Sequence, residues 1–149
     1  MQSILNIKLK METQAKQEFS SARAVLDEEE ERLGKLYDRK SGYEREAELL
    51  LSGTLNLRAI GENRAAVRCM ERYISEQKVR ITIAERNLEQ ARLRLTEVMK
   101  ERKTHETLKE KAFQQFLADE KRQEGKEVDE LTSYTYGQRR KDELSSALA

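Results

Sequence analysis

Leu51-Ser-Gly-Thr-Leu-Asn-Leu-Arg-Ala59 is the stretch on which the fold turns, because two hydrophobic columns run up to it and two others run away from it. Counting in sevens from Leu5 gives Leu5, Glu12, Phe19, Leu26, Leu33, Lys40 and Ala47; counting from Lys8 gives Lys8, Ala15, Ala22, Glu29, Leu36, Tyr43 and Leu50. Ten of these fourteen positions are apolar in a chain that is 37% hydrophobic, so the period is a signal and not an accident of composition. Downstream the columns are Ile60, Val67, Ile74, Ile81, Leu88, Leu95 and Asn63, Met70, Gln77, Ala84, Ala91, Val98, His105. These are the a and d seams of two coiled-coil helices. Gly53 and its neighbours break both and supply turn chemistry, which places a chain reversal between them.

Composition agrees. The chain has 149 residues, 38% charged and 5% aromatic, with no Pro and no Trp. So much charge suits either long helices or disorder, and the helical recurrence of apolar residues decides for helices. Balanced charge, 29 basic against 28 acidic residues, provides no field for a nucleic-acid backbone or an anionic bilayer. The apolar runs are too short to span a membrane, and MQSILNIKLKM lacks a secretory apolar core. A cytoplasmic protein is expected, with which the single cysteine, Cys69, agrees.

If the first helix folds back on the second, residue numbers facing each other across the seam sum to a constant. A sum of 110 centres the turn near Gly53 and sets large residues against small ones: Phe19 faces Ala91, Leu26 faces Ala84, and Ala22 faces Leu88. A register one heptad away keeps part of this complementarity. Flanking charges do not arbitrate, since Arg23 with Glu85 and Glu30 with Lys78 attract while Lys16 with Arg92 and Arg32 with Arg80 repel. The expected fold is all-α: a single domain over 1–149, with helix 1 at about 3–51, a turn at about 52–59, helix 2 at about 60–132 and a loosely ordered tail at 133–149.

The two arms are unequal. Leu5 is matched by His105, and beyond about Glu110 helix 2 has no partner within the chain. At ~1.5 Å per residue, the stretch from Glu110 to Thr132 gives an overhang of ~35 Å. An unpartnered overhang should be polar, yet this one carries Phe113, Phe116, Leu117, Val128 and Leu131. Four of the eight aromatic residues lie after Glu110. That pattern marks an interaction site; the alternative is an end whose last turns fray or pack on the chain's own N-terminus.

Residues that could carry chemistry are few. His105 is the only histidine, and Glu101 lies one turn before it, but two ligands complete no metal site. A half-buried rim histidine is the simpler reading. Cys69 has no activating neighbour and reads as a small packed hydrophobe. The acidic run Asp27-Glu-Glu-Glu-Glu31 reads as a solvated face, while Glu29 in the seam, with Gly34 and Gly42, marks a weakened middle of helix 1 where the hairpin either tolerates an imperfection or bends. No phosphate loop, nucleophile elbow or zinc spacing occurs, so no enzyme, cofactor or metal is expected.

Glu101-Arg-Lys-Thr-His-Glu-Thr-Leu-Lys-Glu-Lys-Ala-Phe113, followed by Phe116-Leu-Ala-Asp-Glu120 and Glu124-Gly-Lys-Glu-Val-Asp-Glu-Leu131, resembles the C-terminal signature of the FliJ family, small coiled-coil proteins of the bacterial flagellar export apparatus. Ile4 to Phe19 resembles the family's N-terminal start. Gly125 departs from the polar helix former expected there. The resemblance implies an antiparallel hairpin like the central stalk of rotary ATPases, with both termini entering the ring of the export ATPase hexamer. It also implies contacts with the export gate membrane protein and with export chaperones, at the inner membrane of the flagellar base and without insertion into it. By motif, partner contact is carried to Lys109, Lys111, Phe113, Phe116, Leu117, Glu120, Glu124, Asp129, Glu130 and Leu131, with a gate contact near Met70, Tyr73 and Gln77.

The competing reading is a purely structural, homodimeric coiled-coil spacer or tether. A parallel dimer would set Lys40 on Lys40 and Glu29 on Glu29, which favours the hairpin, and a hairpin that consumes its own seam should be a monomer when isolated.

Overall fold

Residues 2–148 are described by a computed structural model, and among them the architecture is two helices, α1 (Gln2–Leu51) and α2 (Leu57–Leu148). The chain divides into two compact units, Gln2–Arg102 and the part of α2 from Lys103 on. The first unit is a helical hairpin, in which α1 packs on α2 as far as Arg102.

The reversal is built by side chains at the helix ends. Ser52 stops α1: its hydroxyl and its amide both donate to the Leu49 carbonyl, at 2.9 Å and 3.3 Å. Asn56 starts α2, its side-chain oxygen accepting from the Ala59 amide at 3.2 Å while its carbonyl accepts from Ile60 at 3.0 Å. This is an N-cap, and it pulls Leu57–Ala59 into the helix, so the turn is shorter than the expected 52–59. Gly53 lies in the turn, but no described glycine has positive φ, and the turn does not depend on glycine's special freedom.

Every position of the four columns is shielded, from Leu5 to Leu50 on α1 and from Ile60 to Val98 on α2. Leu5, Ala15, Leu26, Met70, Ile74, Ala84 and Val98 form the buried apolar line, and Glu12, Asn63 and Gln77 are the buried polar members. Two helices enclose only a stripe between them, so each polar residue in it needs a partner across the seam. Asn63 donates its amide to the Tyr43 carbonyl at 2.9 Å. Gln77 donates to the Glu29 carbonyl at 2.9 Å and to the Glu29 carboxylate. The Arg102 guanidinium donates to the Glu12 carboxylate.

These contacts fix the register. Lys8 meets Glu101 at 2.9 Å, Lys40 meets Glu71 at 3.7 Å and Glu18 meets Arg94 at 3.5 Å, pairs whose numbers sum to 109, 111 and 112. The buried polar pairs sum to 106 and 114. A register shifted by one heptad would put its centre at 103 or 117 and leave all of them on one side; only 110 lies among them. The flanking charges considered from the sequence behave differently. Arg23, Lys16 and Arg32 bind Asp27, Glu12 and Glu29 on their own helix, because a partner one turn away is nearer than one across the seam.

Glu29 neither bends nor opens the hairpin, since its carboxylate is held by Gln77 and Arg32, and α1 runs unbroken through Gly34 and Gly42. α2 likewise runs on past Thr132 to Leu148 through the expected tail at 133–149, Ala149 lying outside the described residues. With no Pro there, Gly125 and Gly137 cost only ~1 kcal/mol each against helix and do not end it.

Candidate partner-binding surfaces

The unit from Lys103 on is one helical stretch with almost nothing sheltered. His105 and Lys109 are half-buried, and every described residue after Lys109 is exposed. At 100° per residue, Phe113, Phe116, Leu117, Glu120, Glu124, Val128, Leu131 and Thr135 fall on one face of α2. The structure therefore gathers most of the expected contact residues into an apolar stripe interrupted by two carboxylates. Phe113 is 53% exposed, Phe116 57% and Leu131 66%. Lys111, Asp129 and Glu130 lie on other sides of the helix and are not brought to that stripe.

Sequence reasoning missed the stripe's continuation. Val128, Leu131, Thr132, Thr135, Tyr136 and Arg139 line a shallow depression of about 360 Å³. Tyr136 and Arg139 belong to it only because the helix persists beyond Leu131, where turn-like Thr and Ser residues had suggested an end. The spacing of Val128, Leu131 and Thr135 was the available signal.

A second surface lies within the hairpin unit. Met70 is buried in the seam and Gln77 commits its amide to Glu29, so of the three residues named for a gate contact only Tyr73, 43% exposed, is open to a partner. Seam residues face the other helix by construction, which removes Met70 from any outer surface. An open groove of about 380 Å³ between α1 and α2 is lined by Arg32, Lys35, Leu36 and Arg39 of α1 and by Tyr73, Glu76, Gln77 and Arg80 of α2.

Cys69 is half-buried, its sulfur 3.9 Å from the Arg72 guanidinium. Among the described residues, no group of three or more His, Cys, Asp or Glu side chains could hold a metal ion, and no helix is long and apolar enough to cross a membrane. The Arg92 guanidinium, hydrogen-bonded at 2.9 Å, holds the Glu89 carboxyl below its usual range, and Glu89 in turn raises Arg92; both are exposed and three residues apart on one helix.

Comparison with known proteins adds two findings. The family model described as flagellar FliJ protein matches residues 1–141. A solved structure described as that of a YscO homolog, CT670, from Chlamydia trachomatis is similar with a TM-score of 0.63 and 25% identity, over 93% of this chain and 94% of that one. No curated protein matches the chain.

Proposed function

The chain belongs to the flagellar FliJ family, which makes it a component of flagellar or type III protein export, and on that premise we propose that it is the non-enzymatic stalk of the export ATPase. In this reading the ring of the ATPase hexamer takes up the end of α2, and the bound protein supports assembly and activity of the ring. The hairpin unit couples the ring to the export gate in the membrane and to export chaperones. The isolated protein is a monomer, because the seam that would dimerise is already filled.

One observation carries the proposal: an apolar stripe from Phe113 to Leu131 on a stretch of helix whose residues are all exposed. Exposed aromatic residues on a stretch of helix that buries nothing contribute little to folding, and an amphipathic stretch of this kind suits a groove on a partner. Lys109 and the carboxylates Glu120 and Glu124 border or interrupt the stripe and would set its polar contacts, with Lys111, Asp129 and Glu130 reaching a partner that surrounds the helix. Tyr73, on the hairpin, is the proposed anchor for the gate.

Phe113→Ala combined with Phe116→Ala tests this. The double variant should melt within a degree or two of the parent, since neither ring is buried, yet bind the export ATPase at least tenfold more weakly, because aromatic anchors truncated at an interface commonly cost more than ~2 kcal/mol. Parental affinity in the variant would remove the stripe as the ATPase site. A large fall in melting temperature would show that the rings belong to the protein's own fold.

A further inference from the structure

The docking proposed at Tyr73 leaves open what the partner carries there, and the groove's own charges bear on it. Arg32, Lys35 and Arg39 are spaced three and four apart and so share one face of α1, while Arg80 enters from α2. Against these four cations the groove holds one acid, Glu76. Arg32 is engaged by Glu29 at 3.2 Å and Lys35 by Glu31 at 3.6 Å, whereas Arg39 and Arg80 have no ion-pair partner among the described residues. The net charge of the whole chain is only +1, so this concentration is local. Folding brings Arg32 and Arg80, like charges, to the same groove, an arrangement that weakens the free hairpin and is relieved when an anion enters.

The lining is not purely polar. Leu36 and Tyr73 stand in it beside the four cations, so the groove offers apolar and basic groups together. A phosphate backbone needs a basic track longer than one groove, and a bare anion gains nothing from Leu36 and Tyr73. A peptide with both features fits best. Accepting that the Tyr73 face docks a partner, we infer that the segment bound there is acidic, placing carboxylates on Arg39 and Arg80 and an apolar side chain on Leu36 and Tyr73.

Three fluorescent peptides test this against the full-length protein. They share one spacing of leucines and differ only in carrying Glu, Gln or Lys at the positions between. The Glu peptide should bind at least about tenfold more tightly than the Gln peptide at about 50 mM salt, lose most of that advantage at about 0.5 M, and leave the Lys peptide unbound, since exposed charges are screened over a Debye length. Arg39→Gln with Arg80→Gln should remove most of the advantage of Glu over Gln. Both side chains are exposed, so melting temperature should hold, and Arg86→Gln, outside the groove, should change nothing. Equal binding of the Glu and Gln peptides, no binding of either, tighter binding of a thymidine oligonucleotide, or indifference to the double arginine change would each overturn the inference. A parallel titration with the soluble domain of the gate protein separates it from the proposal on which it rests. Loss of binding in Tyr73→Ala with no response to the arginine changes or to salt keeps the docking and removes the acidic partner, whereas parental binding in Tyr73→Ala removes the docking itself.

Discussion

At Glu29 a carboxylate lies in a hydrophobic seam without opening it, because the Gln77 amide reaches across to both its main-chain and side-chain oxygens. Replacing one member is worse than replacing both. Gln77→Leu should cost about 1–3 kcal/mol, since the Glu29 carboxylate loses its cross-seam donor while remaining shielded. Adding Glu29→Leu should recover that loss or more, because apolar side chains of similar size pack where the polar pair was. Urea unfolding of the two single variants and the double variant measures the coupling, and losses that simply add would sink the argument. The seam itself was legible to the residue: counting in sevens from Leu5 and Lys8 names the shielded positions of α1, with Gly42 alone added by the structure. The polar partners were not legible. Asn63 bonds to the Tyr43 main-chain carbonyl, and every residue type carries such an acceptor, so nothing in the sequence marks which one is used.

Among the elements, the end of α1 and the start of α2 were legible to within a few residues, but the far end of α2 was not. Ser52 and Asn56 are recognisable stop and cap residues between two periodic segments. Beyond Leu131 the sequence Thr132-Ser-Tyr-Thr-Tyr-Gly137 is merely poor in helix formers, and weak propensity does not end a helix that has no Pro and no capping motif to stop it. Among the described residues, α2 after Lys109 is exposed throughout, and its side-chain hydrogen bonds are local, Gln114 to Glu110 at 2.9 Å and Gln115 to Asp119 at 3.1 Å. Pairs of this kind contribute a few tenths of a kcal/mol, so the helix there should open readily. Hydrogen exchange of the isolated protein should therefore run orders of magnitude faster after Lys109 than in the seam between Met70 and Val98, and binding to the ATPase ring should slow it. Equal protection in both stretches of the free protein would mean that the later one has a packing partner after all.

For the molecule as a whole, the hairpin's identity rests on its register, and the same 110 rule that aligns Lys8 with Glu101 and Lys40 with Glu71 makes a covalent test possible. Ala22 and Leu88 share a layer under that rule, and both are half-buried, so neither is turned away from the seam. With Cys69 changed to Ala, Ala22→Cys with Leu88→Cys should oxidise rapidly to an intrachain disulfide, because the Cα atoms must lie within about 7 Å and facing seam positions meet that condition. Ala22→Cys with Leu95→Cys moves one partner two turns along α2, about 10 Å, and should bond poorly within a chain. The first disulfide closes a loop that contains the whole turn, so it should raise the melting temperature, by an amount corresponding to about 2–4 kcal/mol. Non-reducing electrophoresis at low protein concentration distinguishes the outcomes. Crosslinked dimers as the sole product would overturn the monomeric hairpin in favour of two chains sharing one seam, and efficient intrachain bonding from Cys at 95 instead of 88 would move the register by a heptad and separate Glu29 from Gln77.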